Sequence, residues 1–315
     1  MPDYIKSKAK FNGVLKFHKK QTANKFSPKK RLLILISLEL AVNNLKRQMK
    51  LLFTLILLCA GLFANTLQEI RNSGVIRVGV RDGRPPFSEI SGGKFEGFEI
   101  ELANAIAKAI FGAKQGEVQF VSLSAADRVS YLVNNKVDIV AATFVIDSAR
   151  KNHVDFSMPY FSTNLGVLTR KADAIKDISR LRDMRLITEE GTTVDNYLKK
   201  EKFSNVSYCK NTSECYAMIR DGKADGYVNL NITVLAYAVV DDTLEVPFQN
   251  FGKPDFIGIG VQKGNKELLD FINAELVKLS KEGFFKKAYQ DTFEPFYRGT
   301  ADKKYFLLDG IYDLL

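Results

Sequence analysis

Apolar and polar positions alternate in short blocks from residue 75 onward, and each block has the period of one kind of element. The run VIRVGVR (75–81) is almost continuously apolar, as in a strand buried in a parallel sheet. In FEIELANAIAKAIFG, apolar side chains recur at helical spacing from Phe98 to Ile110. EVQFVSL and DIVAAT repeat the strand pattern on either side of a helix that we expect Ser124 to cap. This alternation predicts α/β architecture with largely parallel sheets.

A second series of strands and helices begins near Arg185 and has apolar positions for a core of its own. Its predicted strands are RLITEE, NVSYC, ADGYVNL and FIGIGVQ, and the amphipathic helix KELLDFINAELVKLSKEG follows them. The last helix is expected from Phe284 to Phe293. Because a domain usually holds about 100–200 residues, the part of the chain after residue 64 suits two lobes better than one.

The formal net charge of +10 belongs to the N-terminal segment. Residues 1–48 hold twelve Lys and Arg against Asp3 and Glu39, which accounts for the whole excess. The rest of the chain is nearly neutral and lacks the basic surplus that binding to phosphates needs. The charge pattern therefore excludes nucleic acid as the main partner.

Residues 49–64, MKLLFTLILLCAGLFA, have the pattern of a secretory signal peptide, with a basic start, a short apolar stretch and a small residue at the end. The stretch is too short for a membrane-spanning helix. We therefore expect cleavage after Ala64, a mature protein in the periplasm, and residues 1–48 to be an over-long reading of the gene. The alternative is a disordered basic arm ahead of a signal anchor. Because Leu58 precedes Cys59, lipid anchoring is not expected.

Few residues in the chain are of the types that enzymes and metalloproteins use for catalysis or for binding metals. After residue 64 there is one histidine, His153, which we expect on the surface of the strand HVDFS. A zinc site of several histidines is thereby excluded. Gly258-Ile259-Gly260 resembles a dinucleotide fingerprint, but its spacing and its position within a strand are wrong for one. We expect no catalytic residue, metal or cofactor.

Two cysteines, Cys209 and Cys215, remain after residue 64. An oxidising compartment permits a disulfide between them. Their positions, at the end of an apolar strand and on the inner face of a helix, suit separate packing in the core equally well. The sequence leaves both arrangements open.

Two predicted strand-to-helix turns are suited to holding an anion. In AATFVIDSAR, Thr143 ends a strand and Arg150 follows on a short helix, and EEGTTVDNY forms the other turn. Helix N-termini present free N–H groups and positive partial charge to a carboxylate. An arginine fork adds two parallel charge-assisted hydrogen bonds.

Four stretches of the chain resemble one known family. They are IRVGVRDGRPPFSEISGGKFEGFEIELANAIAK, NNKVDIVAATFVIDSARKNHVDFSMPYF, EEGTTVDNYL and IRDGKADGYV. The family is the periplasmic polar amino-acid-binding proteins of ABC importers, the bacterial extracellular solute-binding proteins, family 3. The resemblance covers almost all of residues 66–315, and the tail EGFFKKAYQDTFEPFY resembles the cysteine-binding members of epsilonproteobacteria.

The resemblance implies the two-lobed, type II periplasmic-binding-protein fold, in which each lobe is a mixed, mostly parallel sheet flanked by helices. Lobe 1 is expected to comprise residues 65–166 plus 258–315, and lobe 2 residues 167–257. Two crossings, near residues 162–168 and 256–260, should form a two-strand hinge.

The resemblance also assigns roles to site residues. Arg150 should clamp the α-carboxylate of the ligand, with the backbone N–H of Val145 and the turn of Thr192 and Thr193 completing the cage. Thr143 should accept a hydrogen bond from the ammonium group of the ligand, and Phe98 should stack on the ligand.

Two positions depart from the family pattern. Arg84 stands where many relatives have an aromatic residue, and Leu230 stands where most have an aspartate that binds the ammonium group. Asn229 or Asn231 are candidates to replace that aspartate, although an amide carries no charge. Packing within a lobe, or a place on the surface, is an equally good interpretation of these positions.

By the resemblance, the chain is a monomeric, non-enzymatic receptor that captures a polar amino acid or related small carboxylate. It should deliver this ligand to an ABC permease in the inner membrane. The alternative is a cyclohexadienyl or arogenate-type dehydratase on the same fold, which needs a general acid in the cleft. The sequence does not identify the ligand.

Overall fold

The computed structural model describes residues 29, 36–50 and 65–301. The chain divides into two compact units, Met1–Phe63 and Ala64–Leu315. In the first unit, residues 36–50 are helical and almost entirely exposed. The predicted signal peptide, apart from its first two residues, and most of the predicted leader lie outside the described residues. Within the described ranges, no helix has the length and apolarity needed to cross a membrane.

The second unit contains two five-stranded sheets. The first has the order β4-β1-β5-β12-β6 and is mixed: β1 runs parallel to β4 and β5, whereas β12 is antiparallel to β5 and β6. Its strands are β1 (Val75–Val80), β4 (Glu117–Ser122), β5 (Ile139–Val140), β6 (Val154–Phe156) and β12 (Gly260–Gln262). A separate antiparallel hairpin is formed by β2 (Glu89–Ser91) and β3 (Lys94–Glu96).

Three helices contact strands of the first sheet: α1 (Leu67–Ser73), α2 (Phe98–Phe111) and α3 (Asp127–Val133). In α2, the side chains of Phe98, Leu102 and Ile106 are completely buried. Helix α7 (Lys266–Lys281) packs on α2, α8 (Phe284–Ala288) packs on α7, and in α9 (Glu294–Tyr297) the Tyr297 hydroxyl donates to the carbonyl of Ile232 at 2.7 Å.

The second sheet has the order β11-β7-β10-β8-β9. Strands β10, β8 and β9 are parallel, and β7 is antiparallel to both β10 and β11. Its strands are β7 (Phe161–Arg170), β8 (Leu186–Glu189), β9 (Val206–Cys209), β10 (Gly226–Leu230) and β11 (Leu244–Ile257). Its helices are α4 (Thr193–Lys200), α5 (Thr212–Arg220) and α6 (Asn231–Val240).

Two adjacent strands join the sheets. The chain leaves the first sheet after β6 and enters β7, and it returns from the end of β11 through Gly258 and Ile259 to β12. The start of β7 pairs with the end of β11, with Phe161 opposite Ile257. Both predicted crossings fall on these segments, and the predicted lobe boundaries lie within β7 and at the end of β11.

Several predicted elements differ in extent from the observed ones. The strand predicted from DIVAAT is confined to β5, because the backbone bends at Thr143, where φ is 45°. The helix predicted to start at Ser124 begins at Asp127, since these two residues form a reciprocally hydrogen-bonded turn ahead of it. The predicted strand FIGIGVQ is interrupted at residues 258 and 259, and the final helix changes to a wider π-helix over Tyr289–Phe293.

Cys209 and Cys215 form a disulfide, and their Cα atoms are 5.4 Å apart. Both residues are also buried. The bond links the end of β9 to the inner face of α5. His153 is exposed immediately before β6, as its place in an alternating strand predicted.

Candidate ligand-binding site

The carboxyl ends of strands from the two sheets face each other, which is where ligands bind in open α/β sheets. Arg81 directly follows β1 in the first sheet, and Glu189 is the last residue of β8 in the second. Arg81 Nη2 lies 2.7 Å from Glu189 Oε2. The lobes are therefore in contact through an ion pair at the centre of this region.

A second guanidinium binds the same carboxylate. Arg84 Nη2 lies 2.6 Å from Glu189 Oε1, and Arg84 Nη1 donates to Thr233 Oγ1 at 2.8 Å. Arg84 is held in a tight turn by reciprocal backbone hydrogen bonds with Ser88. The two arginines and the glutamate are at most 5% exposed. Removing one partner of such a buried pair costs about 3–5 kcal/mol, because the other charge is left uncompensated.

Glu189 is surrounded by donors. Burial alone would raise the pKa of its carboxyl group, but the charges of Arg84 and Arg81 and the hydrogen bond from Arg81 lower it to about 2. Tyr227 Oη and Asn229 Nδ2 also donate to Glu189 Oε1, at 3.3 and 3.2 Å. The carboxylate is therefore ionised at neutral pH, and both of its oxygens are engaged.

The turn that carries Arg150 is fixed by a local carboxylate. Asp147 accepts hydrogen bonds from the N–H groups of Ala149 and Arg150, at 2.8 and 3.1 Å. Such side-chain bonds to the following backbone are typical of aspartate at turns. They start the short 3₁₀ helix Arg150–Asn152.

The guanidinium of Arg150 spans the boundary between the lobes. Nη1 donates to the carbonyl oxygen of Val145 at 2.9 Å, and Nη2 donates to that of Gly191 at 3.3 Å. Its central carbon lies 5.2 Å from the centroid of the Phe144 ring. Neutral carbonyls bind a guanidinium less strongly than a carboxylate does, so an anionic ligand would displace them from this fork.

Arg128 is a further buried guanidinium, on helix α3, and is 4% exposed. Its central carbon lies 5.8 Å from the centroid of the same Phe144 ring. Burial lowers its pKa well below the usual range, and the nearby charges of Arg81 and Arg150 lower it further. Within the described part of the chain, its Nε has no hydrogen-bond partner.

Thr143 adopts a left-handed backbone conformation, which is unusual for a β-branched residue. Its N–H donates to Glu99 Oε1 at 2.6 Å, and its hydroxyl donates to the carbonyl of Ala142 at 2.8 Å. The hydroxyl of Tyr160 donates to the same Glu99 oxygen, and burial raises the pKa of Glu99. Strained backbone supported by a buried network is characteristic of functional sites.

Helix α4 directs its N-terminus at the same place. The hydroxyl of Thr192 accepts a hydrogen bond from the N–H of Asp195 at 3.1 Å and donates to the carbonyl of Glu189 at 2.8 Å. The preceding Gly191 has a φ of 71°, which glycine adopts without steric cost. The free N–H groups of the first turn favour a carboxylate at this point.

Together these elements line a narrow cavity of about 10 Å³, which is room for about one water molecule. Its wall contains six of the eight predicted ligand-binding residues. Arg150, a seventh, lies beside it and binds the carbonyl of a wall residue. The cleft is thus closed and has to open before a larger molecule enters. The wall is formed by Arg84, Arg128, Thr143, Val145, Thr192, Thr193, Val194, Asn229 and Leu230.

The sequence profile of the bacterial extracellular solute-binding proteins, family 3, matches residues 76–295. The chain belongs to this family. The ABC transporter glutamine-binding protein of Bacillus subtilis is 30% identical over 233 residues, which cover 72% of this chain and 84% of that protein.

Two solved structures are similar to this family 3 protein over most of their length. The solute receptor for L-cysteine of Neisseria gonorrhoeae is 34% identical, with a TM-score of 0.72, and the match covers 76% of this chain and 98% of the receptor. The cysteine-binding protein of Campylobacter jejuni gives 34% identity, a TM-score of 0.72, and coverage of 76% and 96%. The predicted two-lobed type II fold is confirmed.

Phe98 is the predicted site residue that the structure does not bring to the cavity of this family 3 protein. It is the first residue of α2 and is completely buried. Its ring packs edge-on against Phe87 and Phe293 in the core of the first lobe. The side chain is therefore a core residue here, and the expected stacking on a ligand finds no support in its position.

The two asparagines considered as substitutes for the missing aspartate have different surroundings. Asn229 lines the cavity, and its amide donates to Glu189. Asn231 lies away from the cavity wall, where its carbonyl oxygen accepts a hydrogen bond from Thr163 at 2.8 Å. Leu230 is in the wall and almost completely buried. Of these residues, none supplies a negative charge.

Sequence reasoning missed four residues of the site: Arg81, Arg128, Phe144 and Glu189. Arg81 and Glu189 each stand at the carboxyl end of a predicted apolar strand, and that position was the available signal. Arg128 gave no comparable signal, because a charged residue on a short helix usually faces solvent.

Proposed function

We propose that the protein captures a polar amino acid or a related small carboxylate between its two lobes. The observation that carries this proposal is the position of Arg150. Its guanidinium lies at the interlobe boundary, holds only neutral carbonyl oxygens at its two terminal nitrogens, and faces the N-terminus of helix α4. A carboxylate is the group that this combination binds best.

The relatives support the chemical class. They are named for binding glutamine and L-cysteine, both of which carry an α-carboxylate. They are also named as binding proteins or receptors, which favours capture over catalysis. In the dehydratase alternative, a general acid has to reach the substrate. The cavity wall offers no carboxyl or imidazole group among the described residues, and prephenate turnover assayed beside binding distinguishes the two functions.

We further propose that the protein works in the periplasm and delivers its ligand to an ABC permease. In this mechanism the lobes part about β7 and β11, the ligand binds, and closure forms the surface that docks on the permease. The small closed cavity and the two connecting strands support this cycle.

A thermal-shift screen tests the proposed function. The twenty amino acids, cystine and small carboxylates are each added to the protein, and the melting temperature is measured. A ligand present at 100 times its dissociation constant stabilises the protein by about 2.7 kcal/mol. We expect at least one of these molecules to raise the melting temperature, and an unchanged value with all of them would contradict the proposal.

We predict that the mature protein begins at Asn65. The Asn65 side chain donates to Asp138 at 3.0 Å, and its carbonyl accepts a hydrogen bond from Asn265, so it is already part of the folded unit. Cleavage after Ala64 keeps these contacts. Sequencing the N-terminus of periplasmic protein checks this prediction. A mature form that retains Lys46 would contradict it.

We predict that Leu230→Asp strengthens binding of zwitterionic amino acids by about tenfold, or about 1.4 kcal/mol. The new carboxylate would lie in the cavity wall and supply the negative charge that an ammonium group lacks there. Calorimetry with each amino acid measures the change. Leu230→Asn, which adds an amide without charge, is the control and should give a smaller gain. If the unmodified protein binds an amino acid tightly and Leu230→Asp abolishes binding, the ammonium contact lies elsewhere.

A further inference from the structure

The site contains more positive charge than its own acidic groups balance. Arg81, Arg84 and Arg128 are all at most 5% exposed. Glu189 is ion-paired with the first two. Within residues 65–301, the guanidinium of Arg128 has no ion pair, its buried Nε has no hydrogen-bond partner, and its central carbon lies 5.8 Å from the centroid of the Phe144 ring. Because a buried charge without a counter-charge is unfavourable, this arrangement favours the entry of an anion.

The same arginines have unused donors. Arg81 Nη1, Arg84 Nε and Arg128 Nε are buried and have no hydrogen-bond partner in the described part of the chain. Arg84 and Arg128 also form part of the cavity wall. An ionised carboxylate offers about four lone-pair positions on two oxygens. It is therefore the type of group that satisfies several of these donors at once.

Two further buried acids, Asp195 and Glu99, lie nearby, and neither removes the imbalance. Asp195 is paired with Lys199 at 2.9 Å. Glu99 Oε1 accepts hydrogen bonds from the N–H of Thr143 and the hydroxyl of Tyr160. Burial raises the pKa of Glu99, and the charges of Arg128 and Arg84 offset this only in part. The protonated form is thus favoured relative to an exposed glutamate, which weakens its contribution as a counter-ion.

A ligand ammonium group meets unfavourable surroundings in this cavity. Leu230 stands where the family resemblance leads one to expect an acidic residue. The amide N–H of Asn229 donates a hydrogen bond to Glu189, so this side chain presents a donor and not a negative charge. Glu189 itself is held by two guanidinium groups. An ammonium group would compete with these groups for one carboxylate and lie close to like charges.

We propose that the site selects a small molecule with two carboxylate groups. One carboxylate binds the fork of Arg150, and the second binds Arg128 together with the unused N–H of Arg84. This inference rests on the proposed function, because it assigns the ligand class of the same cleft. An ammonium group on the ligand is not required for binding.

Matched pairs of ligands test this inference by calorimetry on the purified protein. Glutamate is compared with glutamine and aspartate with asparagine, since each pair differs in one carboxylate and has nearly the same shape. Glutarate and succinate show whether the ammonium group contributes. The measurements are made at about 0.15 M salt, where interactions between exposed charges are screened beyond about 8 Å. We expect each dicarboxylate to bind at least about tenfold more tightly than its amide counterpart.

The variant Arg128→Gln distinguishes the second carboxylate site from the first. It should weaken glutamate binding at least about tenfold more than it weakens glutamine binding. Arg182→Gln is the matched control, because Arg182 also lies over an aromatic ring, that of Phe203 at 4.7 Å, but is exposed outside the cleft. We expect no change in affinity for the control.

The outcomes separate this inference from the proposed function. If a neutral amino acid binds more tightly than every dicarboxylate and Arg150→Ala abolishes that binding, the proposed function stands and the second carboxylate site is wrong. If no dicarboxylate and no amino acid binds, both fail. Equal loss of glutamate and glutamine binding in Arg128→Gln would also overturn the inference, since Arg128 would then not distinguish a second carboxylate from an amide.

Discussion

Replacing Arg150 by alanine should abolish most of the ligand affinity while leaving the fold intact. The guanidinium stands at the boundary between the lobes, and its hydrogen bonds to the carbonyls of Val145 and Gly191 are those that a ligand carboxylate would replace. Truncating one partner of a buried charged pair costs about 2–5 kcal/mol, much of it from leaving the other charge unpaired. Calorimetry with the ligand found by the thermal-shift screen measures the loss.

Arg150→Lys is the informative companion to this variant. It keeps the positive charge but loses the planar fork, so we expect it to recover only part of the affinity. Circular dichroism establishes that both variants are folded. Near-native affinity in a folded Arg150→Ala protein would refute the assignment of Arg150 to the carboxylate.

Local sequence patterns were sufficient to predict most of the strands and helices and the two turns on which Thr143 and Thr192 lie. The spacing of apolar residues along α2 is a property of consecutive positions, and the structure buries the predicted face. Thr143 was singled out at the end of a predicted strand and Thr192 within a predicted turn, and both line the candidate cavity. Residues at the carboxyl ends of strands come together whenever the strands share a sheet or face each other across a cleft.

The same local pattern also accounts for the buried position of Phe98. Phe98, Leu102 and Ile106 form one apolar face, and all three are completely buried in the first lobe. The helical period that predicted α2 therefore already placed Phe98 in the core. The family resemblance pointed instead to the cleft, and stacking of Phe98 on a ligand stays a prediction.

The charged centre of the site was not predictable from local patterns. Arg81 and Glu189 are 108 positions apart in sequence, and their pairing depends on how the two lobes meet. The burial of Arg128 likewise depends on the ring of Phe144 and on the closed cleft around it. Sequence reasoning treats an isolated charge as solvated unless a partner is adjacent, so it could not identify this cluster.

Glu189→Gln should open the cleft of the ligand-free protein. Glu189 joins the lobes by binding Arg81 and Arg84 at 2.7 and 2.6 Å, and an uncharged amide leaves both guanidinium groups buried without a counter-charge. Opening hydrates them, so the variant relieves the penalty by parting its lobes and not by unfolding. Small-angle scattering should therefore show a larger radius of gyration for the variant, with a melting temperature close to that of the unmodified protein.

Asp138→Asn provides the matched control, because Asp138 forms an ion pair with Arg77 within the first lobe, at 2.6 Å. We expect this change to lower the melting temperature and to leave the radius of gyration unchanged. Equal radii of gyration for Glu189→Gln and the unmodified protein would show that the interlobe ion pairs do not hold the cleft closed.

Acidification should open the cleft of the unmodified protein, as Glu189→Gln should at neutral pH. The pKa of Glu189 falls from 4.5 to about 2 in the closed protein, because the charges of Arg84 and Arg81 outweigh the effect of burial. A carboxyl group with a depressed pKa stabilises the closed form fully above about pH 4.5, and this contribution is lost as the pH falls towards 2. The shift corresponds to about 3 kcal/mol. The radius of gyration should therefore increase on acidification within this window, and it should increase less in Glu189→Gln, which has no carboxyl group to protonate at this position.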